Sequence, residues 1–352
     1  MKRRTFIKAL IGGIGFLKIG SILGFNYYNK KLIYGVNLTR RYKDERIADP
    51  RILDILDYAN INDVSINLLY FQKDIHSSEI EKNMNGRTVP NDSYVLDLIE
   101  RLRLKKKNIT MKPLVDVPKN TFWIEERELK DLKNRNIGRG KIYSSNPNKW
   151  FRNYEEVLMH YIRLLEEFKI ESFCVGTELS EMQKHADKWS SLIKNIRREF
   201  KGKITYCAHW NAYENLGFLD DLDYLSISGY FPLIKKGEEA TLEKLVDSWK
   251  LIGENLKKFT KKTKKPVIFG EIGYRSAKGA ATQQDVNLDK EDYEEQRLCF
   301  RALDYAIKNR ILSIKKAYLW VDDTHNLDYF NKVGFGIFGK PVAQDLIVYN
   351  KS

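Results

Sequence analysis

Two glutamates end apolar runs, where an unpartnered carboxylate would lose its hydration and gain nothing in return. Glu178 closes the run in "FCVGTELSEM" (173–182), and Glu271 closes the run in "KKPVIFGEIGYRS" (264–276). Both runs carry the β-branched and aromatic content of strands. Two carboxylates on either side of a glycosidic bond can hydrolyse it with retention. One then acts as general acid and later base, the other as nucleophile, at a separation of roughly 5–5.5 Å. An apolar wall and a second carboxylate together keep the acid protonated near neutral pH. Spacing alone leaves this as one reading among several, because acidic residues recur at many strand ends.

Other strand-like runs also end in residues suited to a sugar. Pyranose faces stack on aromatic rings while polar groups bind the hydroxyls. His209, Trp210 and Asn211 end one run, Tyr230 and Phe231 another, and Trp320 with Asp322 and Asp323 a third. Each aromatic taken singly is as readily a core residue. His209 with Asp322 or Asp323 would make a metal site instead, but the five histidines show none of the paired spacing of zinc enzymes. A serine-hydrolase G-x-S-x-G elbow is absent, as is a Gly-rich dinucleotide fingerprint after the first strand.

The elements that must position these residues alternate. Strands are expected at 32–39, 62–71, 108–117, 170–179, 203–210, 222–231, 265–274 and 314–323. Between them run helical stripes, with Val95, Leu98, Ile99 and Leu102 on one face and Val157, Tyr161, Leu164, Leu165 and Phe168 on another. Eight strands alternating with helices predict a parallel sheet. At 352 residues it closes as a (β/α)8 TIM barrel, a single catalytic domain, with an open doubly wound sheet as the alternative. All strand C-termini of such a barrel converge on one cleft. The longest irregular stretch, 117–150, would be a loop over that cleft, which makes its Trp150 a substrate-binding candidate. Gly176 leaves room for the backbone to crowd at the end of strand four.

A hydrophobic share of 43% supplies a sizeable core, and the net charge of +14 lies mostly in scattered lysines. The tight clusters, Lys105–Lys107 and Lys261–Lys265, fall at helix ends and come with no nucleic-acid-binding motif. Cys174 and Cys207, within apolar strand-like runs, read as buried free thiols, and with Cys299 the odd count of three gives no disulfide framework. The N-terminus, "MKRRTFIKALIGGIGFLKIGSILGF", has a basic start, an arginine pair and a Gly-rich apolar stretch. It resembles a twin-arginine export signal. Residues 1–30 are therefore expected to be a signal or membrane anchor, with residues 1–25 read by the twin-arginine export machinery, and residues 31–352 the catalytic domain. That places the domain across the bacterial inner membrane, in a periplasmic, extracellular or membrane-tethered position.

The order of segments from "YGVNL" (34–38) to "GKPVAQDL" (339–346) resembles glycoside hydrolase family 113, the β-mannanase-type (β/α)8 enzymes of clan A. "MKPLVDV", "WFRNYEEVLMHYIRLLEEFKIESFCVGTELSEM", "ITYCAHWN", "LDYLSISGYFPL", "GEIGYRS" and "YLWVDD" carry the likeness. The resemblance implies Glu178 as acid/base and Glu271 as nucleophile, Tyr230 contacting the nucleophile, and Trp320 as the platform beneath the sugar. Lys112, His209 and Asn211 are implied hydroxyl-binding residues. Thr177 stands where the wider clan usually has an asparagine that binds the sugar 2-hydroxyl, so that contact must come from elsewhere. The implied reaction is retaining hydrolysis of β-1,4-mannan or glucomannan, with no metal or organic cofactor. Another clan specificity (glucan, xylan or galactan) and a non-catalytic carbohydrate-binding barrel remain the alternatives.

Overall fold

The eight runs expected to be strands all are strands, and each pairs in parallel with its sequence neighbours. The chain is represented by a computed structural model that describes residues 33–39, 46–84, 87–117, 139–283, 287–321, 324–328 and 330–351. The strands are β1 (Ile33–Leu38), β2 (Asp63–Phe71), β3 (Asn108–Asp116), β4 (Ser172–Thr177), β5 (Lys203–His209), β6 (Tyr224–Ser228), β7 (Val267–Ile272) and β8 (Lys316–Trp320). β8 returns to pair with β1, in register from Ile33 opposite Lys316 to Asn37 opposite Trp320, and closes the barrel. Closure leaves no free edge and buries both faces of the sheet, which is why the strands read as near-continuous apolar runs.

Seven α-helices lie among the described residues: α1 (Ile52–Tyr58), α2 (Asp92–Leu104), α3 (Pro147–Leu164), α4 (Ala186–Glu199), α5 (Leu242–Thr263), α6 (Tyr293–Lys308) and α7 (Val342–Lys351). α2 starts where the Asn91 side chain accepts from the Tyr94 amide at 2.9 Å, and it buries the predicted stripe of Val95, Leu98, Ile99 and Leu102. Between β5 and β6 the expected helix shrinks to the 3-10 turn Leu219–Asp221. None of the described helices is long and apolar enough to cross a membrane. The proposed signal or anchor, residues 1–30, lies outside the described residues.

The stretch 117–150 differs from expectation. Of the part described, the last four residues already belong to α3, because Asn146 accepts from the Lys149 amide at 3.1 Å and Pro147 occupies the first helical turn. Starting there, the buried stripe runs through Trp150, Tyr154, Leu158, Tyr161 and Ile162, and Val157 and Leu164 are only half-buried. Trp150 therefore does not face the cleft. Its ring packs 4.7 Å from Tyr154 and 6.4 Å from Trp189, and its Nε1 donates to Gln72 Oε1 at 3.0 Å. It is a core residue.

Trp189 extends the same cluster to Tyr206 at 5.3 Å and Phe218 at 5.2 Å, directly behind β4. Gly176 lets the strand press against these rings. A Cβ there would stand 2.6 Å from Tyr206 Cε2 and 2.8 Å from Trp189 Cη2. Gly176→Ala is expected to cost roughly 1–3 kcal/mol and to lower the thermal unfolding midpoint. A melt that matches the parent would show that the two rings can move aside.

Candidate active site

The register of the last strands brings the candidate residues to one rim. Thr177 lies opposite Cys207, His209 opposite Ser228, and Ser228 opposite Glu271, so the ends of β4 to β7 finish at the same level. That rim is the C-terminal mouth of the barrel.

Glu271 is buried on β7 and both its carboxylate oxygens accept hydrogen bonds. Lys112, from β3, forms an ion pair with Oε1, and Tyr230 Oη donates to Oε2 at 3.1 Å. The sequence reading gave Lys112 to sugar hydroxyls. The structure instead buries it at 2% exposure and aims its ammonium at Glu271 and, at 3.4 Å, at Asn37 Oδ1. The Asn37 amide nitrogen reaches the carbonyls of Gly270, Tyr318 and Leu319 at 3.2, 3.3 and 3.3 Å, which ties β1 to β7 and β8 beneath the pair. Burial is the largest single influence on Lys112 and disfavours its charge, but the charge and hydrogen bond of Glu271, with the nearby Cys207 and Cys174 thiols, together outweigh it and hold the ammonium above its ordinary pKa. Burial, then the charges of Glu271 and Glu178, push the Tyr230 hydroxyl well above its usual range. Tyr230 therefore donates and does not titrate. The Trp320 ring centroid lies 5.8 Å from Lys112 Nζ, close to the same carboxylate.

Glu178 follows β4 in a different setting. Its φ of +54° is left-handed, which a residue with a Cβ seldom adopts, and such outliers cluster where a side chain must be aimed. Its amide donates to the Cys207 carbonyl at 2.8 Å. Burial, and next the charge of Glu271, raise its carboxyl pKa; Arg139, His209 and a hydrogen bond from Ser228 oppose the rise. Arg139 Nη1 stands 3.9 Å from Glu178 Oε2, while its other nitrogens grip Asp116 at 2.8 and 3.2 Å.

The remaining candidates divide. His209 and Asn211 hydrogen-bond each other at 2.6 Å on the partly exposed rim after β5, beside Trp210. Thr177 is buried, and its hydroxyl lies 3.7 Å from the Cys174 thiol. Asp322 and Asp323 lie outside the described residues. Among the described residues no cluster of His, Cys, Asp or Glu could hold a metal ion. Asn37, Asp116, Arg139 and Ser228 were not anticipated. Asp116 carried the same signal as the glutamates, an acid ending the apolar run "MKPLVDV"; Arg139 carried none.

One carboxylate is thus held by two donors, and a second stands beside it with its proton affinity raised. That arrangement can deliver a proton to a leaving oxygen and offer an anion to an electrophilic carbon. Residues 32–328 match the model of Glycoside Hydrolase Family 113. Among solved structures, a complex of a GH113 β-1,4-mannanase superposes with a TM-score of 0.70 at 22% identity, covering 92% of this chain and 98% of that one. A second GH113 β-1,4-mannanase structure gives 0.72 at 22% identity, over 92% and 99%. The GH113 β-mannanase of Alicyclobacillus acidocaldarius, in complex with ManMIm, gives 0.71 at 19% identity, over 93% and 99%. At these identities the likeness shows a shared fold. No protein with a curated description matches the chain in sequence.

The setting of Glu178 has a consequence for stability. Its carboxyl pKa is raised on folding, so the folded state binds that proton more tightly than the unfolded chain. Stability then falls as pH climbs from the unfolded value, about 4.3, towards the folded one, and stays lower above it. Glu178→Gln removes the penalty. It is expected to raise the thermal midpoint at about pH 7, with the gain fading by about pH 4. Melts of both proteins at the two pH values test this; a gain that is equal at both would contradict the raised proton affinity.

Proposed function

The chain belongs to glycoside hydrolase family 113 and is a glycoside hydrolase, and from that premise we propose that it cleaves β-1,4-mannan or glucomannan by double displacement, with Glu178 as acid/base and Glu271 as nucleophile. The observation that carries the reading is the opposite setting of the two carboxyls. Glu271 accepts from Lys112 and Tyr230, and Glu178 is buried within the field of Glu271 with its pKa raised. A buried carboxyl whose proton affinity is raised suits the acid, and a carboxylate held by two donors suits the nucleophile.

In the first half-reaction the Glu178 proton passes to the glycosidic oxygen while a Glu271 oxygen attacks the anomeric carbon. The C–O bond to the leaving sugar breaks, and the glycosyl group is carried as an ester on Glu271. As the nucleophile loses its charge to the new bond, Lys112 and Tyr230 are left facing the ester oxygens and keep the carboxyl in place. In the second half-reaction Glu178, now an anion, takes a proton from water. The water oxygen attacks the anomeric carbon and the Glu271 carboxylate departs, so two inversions leave the configuration as it began. Trp320, at the end of β8 beside Lys112, offers an apolar face to the sugar.

The choice of mannan rests on the neighbouring structures, which are of β-1,4-mannanases. Export is proposed on the sequence alone, from the arginine pair and the Gly-rich apolar stretch of residues 1–25, and it would set the domain outside the inner membrane, freed or tethered.

Reducing ends released from mannan, glucomannan, cellulose, xylan and galactan test the substrate, with mannan or glucomannan expected to be cleaved fastest. Glu178→Gln should lower turnover by roughly 10²–10⁴-fold, and Glu271→Gln should abolish it. Proton NMR of the first products should show the β-anomer before mutarotation. Unchanged turnover in both variants would remove the assignment of the pair, and α-anomer formed first would replace double displacement with a single one.

A further inference from the structure

Arg139 takes no part in the steps above, yet it is buried at 7% exposure on the same rim as Glu178. We propose that Arg139, braced by Asp116, is the positioning residue of Glu178: it fixes the carboxyl at the cleft floor and supplies the positive charge that lets Glu178 turn from acid into base. The proposal rests on the reading of Glu178 as the acid/base.

Three observations carry it. The first is geometric. Asp116, the last residue of β3, holds Nε and Nη2 of Arg139 at 2.8 and 3.2 Å, a fork that fixes the guanidinium plane. The nitrogen left over, Nη1, is the one that faces Glu178 Oε2 at 3.9 Å. The second is that the backbones are clamped as well. The turn Arg139–Lys141 sits on the turn after Glu178, with the Glu181 amide donating to the Gly140 carbonyl at 3.1 Å. A Cβ at Gly140 would come within 3.3 Å of the Glu178 carbonyl, tighter than an ordinary contact, so the two turns lie in close approach. The turn that places Arg139 and the left-handed residue that aims Glu178 thus hold each other.

The third is the sum of charges around Glu178. From β7 comes Glu271, which opposes ionisation. From β5 and β6 come His209 and Ser228, which favour it, as does Arg139. Tyr230 donates to Glu271, and the charge of Lys112, on β3, is taken up by the same carboxylate. Asp116 likewise occupies the other edge of Arg139. In the glycosyl ester Glu271 is no longer an anion, so its repulsion vanishes and the field of Arg139 remains. Glu178 then ionises when the second step needs a base.

The test is the pH dependence of kcat/KM for mannan hydrolysis by the full chain, read on its basic limb, where loss of the Glu178 proton ends activity. Asp116→Asn removes the negative charge that offsets Arg139, so the basic limb should move down. The double variant Arg139→Met with Asp116→Asn removes the positive charge as well, so the limb should move above that of the parent. Each displacement should be about one pH unit, the usual size for a charge at this range. Arg139→Lys keeps the charge without the fork and should leave the limb near the parent's, with kcat reduced. A merely structural pair would lower activity without moving the limb in opposite directions. If the double variant does not fold, Asp116→Asn and Arg139→Lys decide: a limb that fails to fall in the first overturns the proposal. Glu178→Gln, run beside them, separates the two readings. A basic limb that survives in Glu178→Gln overturns the acid/base reading itself, whereas a limb lost there but unmoved in the Asp116 and Arg139 variants overturns only the role of Arg139.

Discussion

Two carboxylates within one another's field repel, and the C-terminal rim of the barrel is organised around that repulsion. Removing either from water adds a desolvation penalty of several kcal/mol per ion unless partners compensate. The compensation is unequal. Glu271 receives an ammonium and a hydroxyl; Glu178 receives a guanidinium whose charge is already shared with Asp116. Buried cations therefore alternate with buried acids across the rim, and the strands that carry them are held at a common level. Asn37 shows how far this reaches, since its amide bonds three carbonyls below the Lys112–Glu271 pair and fixes the β1, β7 and β8 ends on which Glu271 and Trp320 sit.

Much of this was legible in the sequence, for a definite reason. A parallel barrel buries both faces of every strand, so β1 to β8 appear as apolar runs with turn residues at their ends. A charged residue that ends such a run is anomalous, and the anomaly singled out Glu178 and Glu271. The same reasoning applied to "MKPLVDV" would have found Asp116. Lys112 was also visible as a charge inside an apolar strand, but sequence gives a buried ammonium no address, and its partner lies four strands further along the chain on β7.

What the sequence hid was set by local capping and long-range geometry. Residues 117–150 show no periodicity in sequence and so place Trp150 in a loop, although Asn146 and Pro147 together make a helix start. Once the helix begins there, Trp150 turns inwards and meets Trp189 and Tyr154, and the stripe predicted for α3 shifts with it. Arg139 belongs to a polar segment with no periodicity, and its meaning appears only when its turn settles on the backbone of Glu181.

Glu178 gathers unfavourable features that no other described residue combines: a left-handed backbone, a buried carboxyl, and a like charge in its field. Each destabilises the folded chain, the backbone conformation alone by about 1–3 kcal/mol. Folding tolerates them because the aromatic cluster of Trp150, Tyr154, Trp189, Tyr206 and Phe218 is packed directly behind β4, with Gly176 pressed into it. The apolar contact lies on the outer face of the strand, and the strain is concentrated at its end. The two are joined through Gln183 and Tyr206, whose hydroxyl both donates to Gln183 Oε1 at 3.1 Å and accepts from the Leu179 amide at 3.0 Å, one residue beyond Glu178. A side chain from the stabilising cluster thus holds the backbone turn that aims the proposed acid. In this fold the burial that raises the proton affinity of Glu178 and the packing that makes the burial tolerable are two faces of one strand.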